Sequence, residues 1–302
     1  KINAPFPDDK ASLRFSSRLI QRLPLDFALK IGDLLGMMAY FTLRKRNRII
    51  LTNLRFAYGF EKSEKEFKEI MWRMYRNFGK CAIEFFRLPV LTTHNIDNYV
   101  KIEGLENLKE ALSSGKGAFI LTAHFGNWDM LASICVLKGF PVNLVTKYLK
   151  NEALNKFWLE TRRKMNITPL YREGTLKEIM RHLKNNELMG FVLDQSVRKD
   201  NGVFINFFGK PTCTMNSLAI LSHRLETPVV PLFLIRLKNG YHRAVFEKQI
   251  IFKEKETVEA GVVYNTQIYS DVMEKYIRQY PDHWIWMHRR WKTLPEGYQK
   301  VY

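Results

Sequence analysis

Apolar residues in the N-terminal part of the chain recur every three or four positions, the period of an amphipathic helix. This spacing extends over 24–43 and again over 63–88. The second segment opens with Ser63 and Glu66, which together can form a capping box at the first turn of a helix. The pattern therefore predicts that residues 1–99 form a helical part.

Beyond this part, short apolar runs alternate with segments of helical spacing. Strand-like runs include GAFILTA at 117–123, PVNLVT at 141–146 and LMGFVLD at 188–194, and a late strand at 241–252 is a candidate for antiparallel pairing. Strands and helices that alternate through short links are typical of the α/β class. We therefore predict that residues 100–302 form one α/β core, a mainly parallel mixed sheet flanked by helices.

The chain of 302 residues is strongly basic, with 48 Lys and Arg against 30 Asp and Glu and a formal net charge of +18. Such a surface attracts polyanions, whether an anionic membrane, a nucleic acid or an acidic protein. The cysteines Cys81, Cys135 and Cys213 form no CxxC pair, which fits a reducing cytoplasm. Neither they nor the seven histidines have the spacing of metal ligands, so we expect no metal and no cofactor.

The apolar stretch at 25–43 is a candidate for membrane contact. It is interrupted by Asp26, Lys30 and Asp33, whereas a spanning helix needs about 20 nearly uncharged residues. A basic cluster at 44–48 follows directly, an order that suits a helix lying on an anionic leaflet. A helix packed on the protein's own core would have the same pattern, and both interpretations stay open.

The segment LTAHFGNWDM at 121–130 places a histidine and an aspartate after an apolar run. Functional groups of open α/β sheets collect beyond the carboxyl ends of the strands, where His124 is expected. Gly126 allows a turn and Asn127 is a candidate N-cap, which places Asp129 in the first turn of the next helix. From there Asp129 can hold one imidazole nitrogen and leave the other free to accept a proton. A buried histidine held by local backbone is the alternative.

No protein nucleophile accompanies this pair in the sequence. The chain has no G-x-S-x-G elbow, and nothing around Cys135 or Cys213 indicates an activated thiol. The group that the histidine activates would then belong to the substrate, for example a hydroxyl.

Four segments in a fixed order resemble a known family: AHFGNWD at 123–129, DQSVRKDNGVFINFFGKPT at 194–212, PVVPLFLIR at 228–236 and YPDHWIWMHRRWKTLPEG at 280–297. Together they resemble the bacterial lipid A late acyltransferases, the lauroyl/myristoyl acyltransferase family. That family belongs to a wider glycerolipid acyltransferase group with an H-x-x-x-x-D/E motif. RNRIILTNLRFAYG at 46–59 extends the resemblance over most of the chain.

The resemblance implies acyl transfer from an acyl thioester, usually acyl carrier protein, to a hydroxyl of a lipid A precursor, without an acyl-enzyme. It implies that His124 is the general base, that Asp129 is its acidic partner and that the enzyme works at the cytoplasmic face of the bacterial inner membrane. The acidic residue of this motif is often glutamate in lipid A enzymes, whereas this sequence has Asp129. HFGNWD is also similar to the phosphatidylinositol mannoside acyltransferases. A related glycolipid acyltransferase that uses acyl-CoA is therefore an alternative.

Further charged residues are candidates for substrate binding. The resemblance places Asp194 and Arg198 in a segment that lines the acceptor site, although Asp194 could instead cap a turn and Arg198 could be a solvated loop charge. Lys147, which follows a strand-like run, and Arg172 are candidates for phosphate contacts on the acceptor.

The C-terminal segment HWIWMHRRWK mixes tryptophans with Arg289 and Arg290. Indoles and cations together are typical of a bilayer interface, and equally of stacking on single-stranded nucleic acid. We expect an exposed segment in which both arginines contact an acidic donor or a phosphorylated acceptor.

A non-enzymatic protein that binds lipid or RNA is the alternative from another class. A binding protein does not need His124 and Asp129 at a strand end, and the sequence has no RNA-binding signature. We therefore predict an enzyme with no nucleic-acid partner.

Overall fold

Helices form the N-terminal part of the structure, a computed structural model that describes residues 10–171 and 175–302. This part of the chain contains α1 (Lys10–Arg22), α2 (Leu25–Thr42), α3 (Arg44–Tyr58) and α4 (Glu64–Arg87). The predicted capping box is present at the start of α4, where the Glu66 backbone N–H donates to the Ser63 hydroxyl and the Ser63 N–H donates to the Glu66 carboxylate. The two helices predicted from periodicity are thus confirmed as α2 and α4.

The two faces of α2 have different surroundings. One face packs so closely on α4 that a Cβ added to Gly79 would lie 2.1 Å from the backbone oxygen of Gly32. The other face is exposed, with Phe27 at 55%, Met38 at 55% and Phe41 at 67% of their surfaces accessible. Among the described residues, none of the helices is both long enough and apolar enough to cross a membrane.

The main sheet of the described chain is mixed and mostly parallel. It contains β1 (Val100–Glu103), β2 (Ala118–Thr122), β3 (Val142–Thr146), β4 (Ile167–Tyr171), β5 (Leu188–Val192), β8 (Val229–Arg236) and β9 (His242–Phe246). Their order across the sheet is β1-β9-β8-β2-β5-β3-β4. Within the series β8-β2-β5-β3-β4, each strand pairs in parallel with the next. Strand β9 is antiparallel to β8, and β1 pairs in parallel with β9. The predicted fold class is confirmed, as is the antiparallel late strand.

Helices cover both faces of this sheet: α5 (Leu105–Leu112), α6 (Trp128–Leu137), α7 (Glu152–Lys164), α8 (Thr175–Lys184), α9 (Ser217–Leu225) and α10 (Val258–Gln279). Successive side chains of a strand point to opposite faces. Accordingly Ile120 of β2 joins a buried cluster with α5 and α6, whereas Phe119 joins a cluster with α8, α9 and α10. Leu54 of α3 and Met74 of α4 belong to the second cluster, so the N-terminal helices share a core with the sheet.

A hairpin follows the end of β5 after a short loop. Its strands are β6 (Gly202–Phe207) and β7 (Lys210–Met215), which pair antiparallel. The two turn residues between them, Phe208 and Gly209, have φ of 55° and 66°, the left-handed conformation that suits the twist of a two-residue hairpin.

The C-terminal tryptophans form part of the core, and the expectation of an exposed basic and aromatic segment is wrong. Trp284, Trp286 and Trp291 are fully buried. The Trp284 and Trp286 rings contact each other, and Phe207 of the hairpin contacts Trp284 and Trp291. Burial of these large rings removes much apolar surface from water, whereas composition alone does not distinguish such a segment from an interfacial one.

Candidate active site

A glycine turn directly after β2 carries His124. Gly126 has φ of 57°, and a Cβ there would lie 2.1 Å from the backbone oxygen of Leu234, so a side chain is excluded by both conformation and space. Asn127 is the N-cap of α6, and its side-chain oxygen accepts from the Met130 N–H at 3.0 Å. Asp129 follows in the first turn of the helix, as the sequence predicted.

Two distant parts of the chain hold this turn in place. From the C-terminal segment, the Ile285 N–H donates to the His124 oxygen at 3.0 Å, and the Gly126 N–H donates to the His283 oxygen at 2.9 Å. From α4, the buried Glu84 carboxylate accepts from the Asn127 side chain at 2.9 Å. Glu84 also pairs with the Arg236 guanidinium (2.8 Å), so its charge is compensated in the interior.

The imidazole of His124 is paired with Asp194, which lies two residues beyond β5. His124 Nδ1 lies 2.8 Å from Asp194 Oδ1, and the Trp284 indole N–H donates to Asp194 Oδ2 at 2.7 Å. Asp194 is fully buried, which opposes its ionisation, but the charge and hydrogen bond of His124 outweigh burial and lower the pKa of the carboxyl. A carboxylate only accepts hydrogen bonds, so Nδ1 carries the proton and Nε2 is free to accept one.

The same pairing acts on the histidine. Burial disfavours the imidazolium, but the charge of Asp194 and its hydrogen bond, together with the charge of Asp129, raise the pKa of His124 above its ordinary value. The imidazolium that forms on proton uptake is therefore stabilised in place. This is the division of labour between a base and the acid that orients it.

Asp129 has a different partner from the one predicted. Its Oδ1 accepts from Arg162 Nε at 2.6 Å and its Oδ2 from the Trp158 indole N–H at 3.3 Å. Both partners lie on α7, one helical turn apart, and the Arg162 guanidinium lies 3.6 Å from the centre of the Trp158 ring. A buried arginine needs a compensating charge, and Asp129 supplies it, so the predicted hydrogen bond to His124 is made by Asp194 instead.

The cleft beside His124 has a volume of about 1570 Å³, larger than pockets for ordinary small molecules, which hold about 300–1,000 Å³. Its polar part is lined by His124, Arg162 and Gln195. An apolar part continues between the sheet and α6, lined by Ile120, Leu131, Cys135, Val142, Leu144 and Leu232. The combination suits a ligand that has both a long apolar chain and a polar group.

Residues 14–293 match the family described as bacterial lipid A biosynthesis acyltransferase. The chain belongs to this family. Similar relatives include the lipid A biosynthesis palmitoleoyltransferase of Escherichia coli, 23% identical over 93% of this chain and 90% of the relative. The lipid A biosynthesis lauroyltransferase of the same organism is 24% identical over 94% and 91%. The phosphatidylinositol mannoside acyltransferase of Mycobacterium tuberculosis is 24% identical over 74% and 70%. The protein is thus an acyltransferase.

The thiols of this acyltransferase are poorly suited to nucleophilic attack. Burial raises the pKa of Cys135 to about 12, and burial also raises the pKa of Cys213. Thiols need a lowered pKa to act as nucleophiles at neutral pH. Among the described residues, no cluster of His, Cys, Asp and Glu could hold a metal ion.

The other residues predicted to bind substrate have varied positions in the acyltransferase. Lys147 and Arg198 are exposed and line the cleft, and Arg198 contacts Asp200 at 3.4 Å. Arg172 lies outside the described residues. Arg289 is exposed, as expected. Its contact with substrate stays a prediction.

Arg290 is fully buried, which contradicts its predicted exposure. Its Nη2 donates to the Thr214 hydroxyl at 2.7 Å, and its guanidinium lies 4.7 Å from the centre of the Phe207 ring. These contacts fix the arginine between the hairpin and the tryptophan cluster, and Arg290 is not among the residues that line the cleft.

Three residues of the site were not singled out in the sequence. Arg162 and Trp158 share one face of α7 at i, i+4 spacing, which is a weak signal that the two side chains contact each other. His288 lies within the recognised C-terminal segment, and its ring centre is 5.2 Å from that of His124. Only the fold brings these residues against His124 and Asp129, because long stretches of chain separate them.

Proposed function

We propose that the protein transfers a fatty acyl group from the thioester of acyl carrier protein to a hydroxyl of a lipid A precursor, with His124 as general base. The observation that carries the proposal is the His124–Asp194 pair at a large cleft with an apolar part. Membership of the lipid A acyltransferase family supports the acceptor class.

The reaction needs one proton acceptor and no covalent intermediate on the protein. His124 Nε2 takes the proton of the acceptor hydroxyl as the hydroxyl oxygen attacks the thioester carbonyl carbon. The tetrahedral intermediate collapses with cleavage of the carbon–sulfur bond, and the departing sulfur takes the proton back from Nε2. Asp194 holds Nδ1–H throughout and stabilises the transient imidazolium.

The Asp129–Arg162 pair acts on the substrate through the arginine in this proposal. Arg162 lines the cleft, and Asp129 fixes one edge of its guanidinium through Nε. A fixed guanidinium suits a phosphate or a developing negative charge. Asp129 is then a positioning residue, and its charge also favours the protonated form of His124.

The basic surface favours acyl carrier protein as the donor, because that protein is acidic. The net charge is +18, and the cleft is bordered by exposed Lys147 and Arg198. A second candidate is acyl transfer from acyl-CoA to a mannosylated lipid. It is favoured by Asp129 as the acidic residue of the motif and by the similarity to phosphatidylinositol mannoside acyltransferases.

One assay separates these candidates. Purified protein is given lauroyl–acyl carrier protein or lauroyl-CoA, with a lipid A precursor or a phosphatidylinositol mannoside in vesicles, and mass spectrometry detects the acylated product. We expect the lipid A precursor to be acylated fastest from acyl carrier protein. Transfer only from CoA to the mannoside would support the second candidate, and no transfer to either acceptor would contradict both.

We further propose that the enzyme works at the cytoplasmic face of the bacterial inner membrane, with α2 lying on the lipid. The support is that α2 packs one face on α4 while the opposite face exposes Phe27, Met38 and Phe41. Exposed cations at 44–48 follow this face directly. Apolar contact and attraction to anionic lipid would act together.

Vesicle sedimentation tests the membrane proposal. Each basic residue near an anionic surface contributes about 1 kcal/mol, so Arg44→Gln/Lys45→Gln should weaken binding to anionic vesicles by about 30-fold at low salt. The control Lys248→Gln/Lys253→Gln removes the same charge elsewhere on the surface and should bind much as the wild type does. Equal loss in both variants, or no binding by the wild type, would contradict the proposal.

A further inference from the structure

Gln195 lies between the side chains of His124 and His288. Its side-chain Nε2 donates to His288 Nε2 at 2.9 Å. The same nitrogen lies 3.5 Å from both ring nitrogens of His124. Equal distances mean that the amide lies beside the imidazole and is not directed at the lone pair of Nε2. One hydrogen of the amide is thus used by His288, and the other makes no short bond.

His288 fixes the orientation of this amide. Burial is the main cause that lowers the pKa of His288. The charge of Asp194 opposes this shift, and the charges of His124, Arg46 and Arg290 add to it. The shift favours the neutral ring, and a neutral imidazole keeps one nitrogen as an acceptor. Because His288 Nε2 accepts from Gln195, it holds the amide with its N–H groups, and not its oxygen, beside His124.

Asp194, Trp128 and His288 are the other side chains in contact with the His124 ring. Asp194 is a carboxylate and only accepts, and Trp128 packs edge to face with a ring-centre distance of 5.2 Å. Gln195 lines the cleft. A group that approaches the free Nε2 of His124 therefore comes close to the Gln195 amide.

We infer that the Gln195 amide is a catalytic hydrogen-bond donor to the carbonyl oxygen of the acyl donor, and that His288 is its positioning residue. The inference rests on the proposed acyl transfer with His124 as base. When the acceptor oxygen attacks the carbonyl carbon, the carbonyl oxygen gains negative charge, and a donor already oriented towards that position stabilises the transition state. The same donor contributes little to binding of the neutral ground state.

Gln195→Met and Gln195→Glu test the donor. Methionine keeps the length of the side chain without the N–H, and glutamate replaces the N–H by a charged oxygen. Removal of one such donor typically lowers kcat about 10²–10³-fold. We expect that loss in the methionine variant and at least as large a loss in the glutamate variant, with KM for the donor thioester and the melting temperature of the methionine variant near the wild-type values.

His288→Phe and His288→Asn test the positioning residue. Phenylalanine keeps the ring without an acceptor, and asparagine keeps an acceptor oxygen. We expect His288→Phe to lower kcat, His288→Asn to recover part of that loss, and the His288→Phe change to have little further effect in the Gln195→Met background. The acid limb of the pH–rate profile should stay in place in Gln195→Met, because the His124–Asp194 pair is intact.

The outcomes separate this inference from the proposed function. An active wild type with undiminished kcat in a folded Gln195→Met variant would overturn the inference alone, because it would show that Gln195 only fills space. Loss of activity in Gln195→Met together with a displaced acid limb would also overturn it, because the His124–Asp194 pair would have been disturbed. A wild type that transfers no acyl group would overturn the proposed function and this inference with it.

Discussion

The end of β5 and the first turn of α6 each place a buried carboxylate beside the cleft, but the two have different partners. Asp194 accepts from His124 and Trp284, so its charge bears on a group that gains and loses a proton. Asp129 accepts from Arg162 and Trp158, so it compensates a permanent cation. Proximity of an acid to a histidine in the sequence therefore does not identify the acid that orients it.

The difference follows from which elements meet. β2 and β5 are neighbours in the parallel sheet, and their register pairs Thr122 with Val192. The residues that follow the two strands are therefore brought together, including His124 and Asp194. Helix α6 carries Asp129 away from this edge and towards α7, where the guanidinium lies.

Asp194→Asn should have the largest effect on turnover. If the oxygen of the introduced amide accepts from Trp284, the N–H of that amide faces Nδ1 of His124 and drives the proton to Nε2, the wrong tautomer for a base. A change of this kind costs about 10⁴-fold in kcat, and because asparagine preserves the shape the melting temperature should change little. Steady-state kinetics and thermal melts check both points. Near-normal turnover in a folded variant would remove Asp194 from the mechanism.

His124→Ala should lower acyl transfer by about 10²–10⁴-fold, the usual contribution of a positioned base. Groups that act as a unit are not additive, so the double variant His124→Ala/Asp194→Asn should be little slower than the worse single variant. Intact-protein mass spectra during wild-type turnover should show no acyl adduct. Additive losses, or an adduct on Cys135 or Cys213, would contradict a shared histidine-base mechanism.

Asp129→Asn should reduce stability more clearly than Asp194→Asn does. It leaves the Arg162 cation buried without compensation, and breaking such a pair costs about 3–5 kcal/mol. The double variant Asp129→Asn/Arg162→Met removes both charges and should recover most of that loss in denaturant unfolding. If turnover returns together with stability, the pair is structural; if turnover stays low, the guanidinium acts on the substrate as proposed.

The sequence predicted the local parts of this site. The change from helical to strand-helix periodicity, the glycine turn and the N-cap at Asn127 all depend on neighbouring residues, and the structure contains each of them. The partner of His124 was mispredicted because it lies 70 positions away in the chain, and only strand order brings it close. The burial of Trp284, Trp286, Trp291 and Arg290 was missed for the same reason, since it depends on a hairpin that packs against them.

The smallest expected effect concerns pH. His124 must be neutral to accept a proton, so kcat/KM should rise with pH as His124 loses its proton. Because Asp194 outweighs burial and raises the pKa of His124, the midpoint of this acid limb should lie above the ordinary histidine value of about 6.5. Removing the Asp129 charge removes one contribution that raises the pKa, so in Asp129→Asn the limb should move to lower pH. The exposed Asp97, which pairs with Lys138, provides a control, and Asp97→Asn should leave the limb in place. Equal displacement in both variants would show that net charge, and not the charges beside the imidazole, sets the titration of the base.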